Sequence, residues 1–389
     1  MGFRAPSRTT ELLEFYASFF VRNFAVSLSA IFEPIYLFLV FDKSITYTLF
    51  YFAIVSLMYG FTAPLGAWFA ARVGERRAML SSAPFLIGYY LSLAYLHAAP
   101  SWLIPLSLAC NIVHATLFWP AFHYDFLRIS TRGARGKEFG LVVMAASAGS
   151  AIAPLVGGVI LSSPYLGFPV LFTSVLFLLF LSGLILLRAQ PTAPGIPTLP
   201  YASLSYTYTW SLIFSRAFLK QTLAFTANGI ESGIGMYVWP LFLFMLAFSF
   251  DTIGLLTFFA AVAGLAFTFF VGLLTDRVGA RKVLGLASVS SAVFWLLKTL
   301  STFPPFLFVT HTVHMFLGSG TYIPFMAIVY EKAAGTQEQQ KVSIVFREVA
   351  LGLGRGTVLG VLAFVFLFTS KLQLSFLVAA LFVLLMNGI

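Results

Sequence analysis

The chain has 389 residues, 60% hydrophobic and only 9% charged, with 45 Phe and a mean hydropathy of +0.94, a composition that a soluble domain of this length does not carry. The net charge of +10 at pH 7 invites a nucleic-acid reading, but the basic residues sit between long apolar runs, which argues against it. The single cysteine, Cys110, lies inside such a run and excludes an internal disulfide framework.

Apolar runs of about 20 residues recur from end to end, and each is enough to cross a hydrocarbon core of about 30 Å as a helix. They predict twelve spans, at 13–41, 45–70, 78–98, 102–127, 138–162, 168–187, 212–248, 252–275, 283–300, 304–330, 342–368 and 372–388. The runs are continuous rather than alternating, which excludes a transmembrane β-barrel. Arg4, Arg8, Arg72, Arg76, Arg77, Arg128, Arg132, Arg135, Lys137, Arg188, Arg216, Lys220, Arg277, Arg281, Lys282, Lys332 and Lys341 fall on one side of these spans. Lys43, Lys298 and Lys371 fall on the other. The positive-inside rule then puts both termini in the cytoplasm of a multi-pass protein of the plasma (inner) membrane.

The first span carries Arg22 and Glu33, and each charge at mid-membrane costs about 2.5–3.5 kcal/mol, so each needs a reason to be there. These charges and the length of the run separate it from a cleavable signal peptide. Glu33, just before Pro34, either carries protons or bonds a neighbouring helix. The loop after the second span, AWFAARVGERR, contains Arg72, Gly74, Arg76 and Arg77. The fourth span offers Asn111, His114 and His123 to a cavity, and Asp125 near its end as a partner for Arg72 or Arg76. The fifth, GLVVMAASAGSAIAPLVGG, sets Gly140, Gly149, Gly157 and Gly158 around Pro154, a composition that permits close packing and a local bend.

Pro191, Pro194, Pro197 and Pro200, three residues apart, predict an extended polyproline II spacer between the sixth and seventh spans. The expected organisation is a six-helix bundle over 1–188, a linker over 189–207 and a second bundle over 208–389. In the seventh span Glu231 lies near the midplane, at a depth similar to that of Arg22. The two either pair across a cavity in function or form a static ion pair. The loop after the eighth span, GLLTDRVGARK, contains Gly272, Asp276, Arg277, Gly279, Arg281 and Lys282. The tenth span carries His311 and His314 three residues apart, with Glu331 near its end as a partner for Arg277 or Arg281. The two histidines are cavity hydrogen-bonders or titrating groups; with no third ligand nearby in sequence, no metal is expected. In the eleventh span Arg355, within LGLGRGTVLG, either binds a substrate anion or makes a structural pair.

The halves repeat. Pro34 and Pro240 are 206 residues apart, Gly74 and Gly279 are 205 apart, and Pro120 and Pro324 are 204 apart. A near-constant offset predicts an internal duplication, and parallel repeats of this kind suit a transporter with its site between them.

GLLTDRVGARK resembles, at every signature position, a loop motif of the major facilitator superfamily. The first-half copy departs at Ala67, where Gly is expected, and at Ala71, where Asp is expected. Gly140, Gly149, Pro154, Gly157 and Gly158 are similar to the fifth-span pattern of that family's drug:proton antiporter-like group, with Ala153 replacing one Gly. The fourth span lacks that group's central Arg and offers Asn111 and His114 instead. The resemblance implies an all-α membrane fold of twelve helices in two pseudo-symmetric bundles. It also implies a cavity lined by spans one, four, seven and ten, and a cytoplasmic latch built from the loop motif. It implies a small-molecule substrate, protons as coupling ion, a monomer among membrane lipids, and neither nucleic acid nor cofactor. No G-x-S-x-G, H-E-x-x-H or Walker loop occurs, so neither an enzyme nor an ATP-driven pump is expected. The function expected is proton-coupled efflux of lipophilic or amphipathic compounds. The alternatives are an importer or facilitator of a sugar, nucleoside or organic anion and, from another class, a non-transporting receptor or assembly partner.

Overall fold

The computed structural model describes residues 8–97, 101–129, 135–188, 206–300, 302–332 and 337–389, and among these the regular structure is helical throughout. The first apolar run is two pieces, α1 (Arg8–Ala30) and α2 (Glu33–Val40). Pro34 sits in the first turn of α2, where its missing N–H costs nothing and its fixed φ starts a helix. Then come α3 (Ile45–Val73), α4 (Glu75–Leu96), α5 (Leu103–Ile129), α6 (Arg135–Ser162) and α7 (Gly167–Arg188). Ser44 caps α3 by accepting from the Tyr47 N–H.

The predicted proline-rich spacer falls almost wholly outside the described residues, and the chain resumes with the short α8 (Tyr206–Ile213). The seventh predicted span is also not one helix. It runs as α9 (Leu219–Gly233), a π turn over Ile234–Val238, and α10 (Trp239–Met245) with Pro240 in its first turn. A π turn inserts an extra residue into the helical ladder, here just before the residue that cannot donate to it. The chain ends with α11 (Phe250–Val278), α12 (Ala280–Leu300), α13 (Pro304–Lys332), α14 (Gln337–Val365) and α15 (Gln373–Leu385).

Nine helical runs among the described residues are long and apolar enough to cross a membrane, and Ser147–Ser162 and Gln373–Gly388 are shorter apolar helices. In the first half α1 packs on α6 and α7, α4 on α5 and α7, and α3 on α5. In the second half α9 packs on α14 and α15, α12 on α13 and α15, and α11 on α13. The halves meet along α3–α14 and α6–α11, with α2 against α10. With no water to expel between them, membrane helices gain by close contact. A Cβ on Gly352 of α14 would lie 2.8 Å from the Gly60 Cα of α3. Aromatic pairs close the α2–α10 end, with Phe38 to Phe244 at 6.3 Å and Phe32 to Phe250 at 6.0 Å between centroids. Phe52 stacks on Tyr237 at 4.0 Å, also between halves. Each such pair contributes roughly 0.5–1.5 kcal/mol beyond area burial.

Candidate functional site

Three polar clusters lie inside the helices. In the first half Arg22 of α1 donates from Nη2 to Nε2 of His114 of α5 at 3.1 Å, and His114 Nδ1 lies 3.2 Å from the Ser82 carbonyl oxygen of α4. The carbonyl can only accept, so Nδ1 carries the proton and Nε2 offers its lone pair to Arg22. The guanidinium carbon sits 3.8 Å from the Phe118 ring centroid and 5.6 Å from that of Trp119. Glu33, at the start of α2, accepts from Ser29 at 2.7 Å, Tyr90 at 2.9 Å and Tyr89 at 3.0 Å. All three donors are neutral hydroxyls, and among the described residues Glu33 has no cationic partner.

The second cluster is in the second half. Lys298 was expected on the side poor in basic residues. It is instead buried within the helices at 1% exposure, turned inward from the last turn of α12. Its ammonium donates to Nδ1 of His314 at 2.7 Å and of His311 at 3.3 Å, and lies 4.3 and 4.4 Å from the Trp239 and Trp295 rings. His314 Nε2 meets Ser291 Oγ at 2.8 Å. Glu231 of α9 accepts from the Trp295 indole N–H at 3.1 Å. The expected Arg22–Glu231 pair is therefore not formed: each residue bonds within its own half. No group of three His, Cys, Asp or Glu side chains suited to a metal ion occurs among the described residues.

The third cluster joins the halves. Glu348 of α14, 4% exposed, accepts from the Tyr59 hydroxyl of α3 at 2.6 Å, pairs with Arg347, and lies 3.5 Å from Nε2 of His123 of α5. Thus His123 bridges to the second half instead of lining an open cavity. Further along α14, Arg355 is half-buried and donates to Ser232 of α9 at 3.1 Å, while its Nε is buried without an acceptor. Asn111 is half-buried and makes no side-chain hydrogen bond among the described residues.

The two loop motifs fold alike. Gly74 ends α3 and precedes α4 with φ of +94°; Gly279 does the same between α11 and α12 with φ of +95°. A side chain is strained there, so the matched glycines have a backbone reason. Arg76 pairs with Asp125 at 3.4 Å, with side chains 8% and 0% exposed. Arg72 lies over the Trp68 ring at 3.9 Å, and Arg77 is exposed. In the second motif Arg277, Arg281 and Lys282 are exposed, whereas the surroundings of Gly272, the side chains of Asp276 and Glu331, and the surroundings of Gly140 in α6 lie outside the described residues.

The rest of the α6 motif packs in two directions. A Cβ on Gly149 would lie 3.0 Å from the Phe20 carbonyl oxygen, and one on Gly157 would lie 2.2 Å from that of Leu28, both on α1. A Cβ on Gly158 would lie 2.6 Å from the Phe250 oxygen at the start of α11. One helix face thus serves its own half and the next face serves the other half. Pro154 lies inside α6, and its carbonyl oxygen is 2.5 Å from a Cβ built on Gly254 of α11.

Sequence reasoning missed Tyr59, Tyr89, Tyr90, Trp295, Lys298 and Glu348 as site residues. Glu348 and Lys298 carried a direct signal, as charges inside predicted spans. Tyr90 and Trp295 carried an indirect one: they are 205 residues apart, the repeat offset, and each donates to the acid of its half.

A family model, the Major Facilitator Superfamily, matches residues 15–248. No curated protein matches the chain. Among solved structures it is similar to the human organic anion transporter MFSD10 (TETRAN), at 16% identity, with 98% of this chain and 99% of that chain covered and a TM-score of 0.74. It is similar to the nucleoside transporter NupG at 14% identity, with 97% and 98% covered and a TM-score of 0.74. A POT family transporter in complex with 5-aminolevulinic acid matches at 14% identity, with 99% and 96% covered and a TM-score of 0.74. Identities this low speak for the fold alone, but the family match spans more than half of the chain: the protein belongs to the Major Facilitator Superfamily, a family of membrane transporters and not of enzymes.

Proposed function

We propose that this chain is a proton-coupled secondary transporter that exports lipophilic or amphipathic small molecules by alternating access. In this reading it is a monomer with twelve spans, both termini are in the cytoplasm of the plasma (inner) membrane, and the bundles 1–188 and 208–389 rock about the linker 189–207. The observation that carries the coupling is the setting of Glu33. A carboxylate held by three neutral hydroxyls can gain or lose a proton without leaving a cation unpaired. Asp125 and Glu348, each salt-bridged, lack that freedom. The Glu348–Tyr59–His123 contacts, which join the halves, serve as a latch, the Arg76–Asp125 pair holds the first loop motif to its own half, and the second loop motif acts with Asp276 as a further latch. The glycine faces of α6 support movement between halves packed at van der Waals distance.

Uptake into proteoliposomes under an imposed pH gradient, with a broad panel of compounds, tests the reading. Gradient-dependent accumulation of amphipathic compounds is expected, and no movement of any compound would leave a receptor or assembly partner as the better reading. Single cysteines placed near 133 and 195, on a background lacking Cys110, should react only from the cytoplasmic side. One observation favours a second substrate class: the unpartnered Nε of Arg355 suits an organic anion. Anions accumulating in preference to neutral amphiphiles would support that alternative.

A further inference from the structure

Arg22 is a cation inside a membrane bundle, yet no carboxylate pairs with it among the described residues. It lines a cavity of about 60 Å³ whose walls all come from α1, α4, α5 and α7, within the first half and away from the interface between halves. Of the five N–H donors in the guanidinium fork, His114 takes one, and among the described residues no other hydrogen bond holds the rest. A carboxylate fits two donors of that fork side by side. The remaining walls are largely apolar, with Phe19, Leu86, Phe122 and Leu179 among them, while Ser18 and Ser182 bond each other. At Gly183 of α7 a Cβ would meet nothing within 4 Å, so the wall is open there. One water needs about 10–15 Å³ of such space, so the cavity has room for about four to six waters, enough to seat an anionic head group.

We propose that this crevice binds the carboxylate of a single-chain anionic amphiphile, with Arg22 taking the head and the aliphatic chain leaving past Leu86, Leu179 and Gly183. The ligand supplies the anion that the protein does not. The site is independent of the transported substrate, because no wall belongs to the second half.

Thermal unfolding of the full chain in a non-ionic detergent tests this, with laurate as the probe and dodecanol and dodecyltrimethylammonium as controls. Laurate should raise the unfolding temperature by a few degrees, and the neutral and cationic chains should not. Gly183→Leu fills the crevice from α7, where a Cβ meets no atom within 4 Å, and does not alter Arg22 itself. It should retain the unliganded unfolding temperature and lose the laurate shift. Arg22→Gln should lose the shift, whereas Arg355→Gln should keep it. Equal shifts with dodecanol, a wild-type response in Gly183→Leu, or loss of the shift in Arg355→Gln would each overturn the assignment. Because Gly183→Leu does not alter Arg22 itself, the proposal stays testable even if Arg22→Gln does not fold.

Discussion

The first half holds Arg22 beneath a histidine nitrogen and over an aromatic face, and the second half holds Lys298 between two histidine nitrogens and two indole rings. In both, a cation inside the helices is held by neutral acceptors and π faces, with no acid within salt-bridge distance among the described residues, although the charge of Glu231 reaches Lys298. The acids differ. Glu33 is bonded by three hydroxyls, whereas Glu231 takes a single indole N–H. Positions related by the repeat offset hold different chemistry: Glu33 corresponds to Trp239, which stacks over Lys298, and Arg22 corresponds to Asn228. Positions at the repeat offset share turns and packing, while their charges differ. A symmetric scaffold therefore carries two asymmetric polar centres.

The comparison is broken most directly at the acids. Glu33→Gln should reduce gradient-driven accumulation to the level of protein-free vesicles, while Glu231→Gln should retain a measurable fraction of it. Uptake at matched protein content decides, and the reverse order would move the proton site to the second half. The next largest effect is expected where the halves join. Glu348→Ala removes the acceptor of Tyr59 and the carboxylate that Arg347 and His123 face, and breaking a buried pair by removing one partner costs about 3–5 kcal/mol. A lowered unfolding temperature, largely recovered in Arg347→Met/Glu348→Met, is the expected signature.

A smaller effect separates the two packing faces of α6. Gly157→Ala overpacks the contact with α1, and Gly158→Ala overpacks the contact with α11, each at about 1–3 kcal/mol. Only the second should slow transport beyond its effect on stability, because only α11 belongs to the other half. The smallest expected difference is between the twin turns. Gly74→Ala and Gly279→Ala meet no neighbouring atoms and pay only for φ near +95°, about 1–3 kcal/mol each. Unequal melting of the two variants would show that the loops are not equivalent.

Much of this was legible in the chain. Gly74 and Gly279 were recognisable from the repeat alone, because a backbone that demands positive φ leaves little choice of residue. Arg22, Glu33, Glu231 and Arg355 stood out because ionisable groups are costly in apolar spans. Their partners did not stand out. Tyr89 and Tyr90 look like ordinary aromatic residues of an apolar helix until α4 is laid against α1 and α2. Lys298 was assigned to a surface because a lysine near a helix end usually reaches for the interface; the facing His311 and His314 of α13 turn it inward.

The sequence by itself determined the helical fold class, the repeat and the positions of the breakers, because apolar length, glycine and proline act locally on the backbone. Only the tertiary structure decided that Arg22 bonds His114 and not Glu231, that Glu348 ties α14 to α3 and α5, and that Gly157 and Gly158 face different halves. Hydrogen bonds at about 3 Å depend on the rotation and register of whole helices against one another. Helices that expose apolar residues on every side carry little in their own pattern to specify which face meets which neighbour.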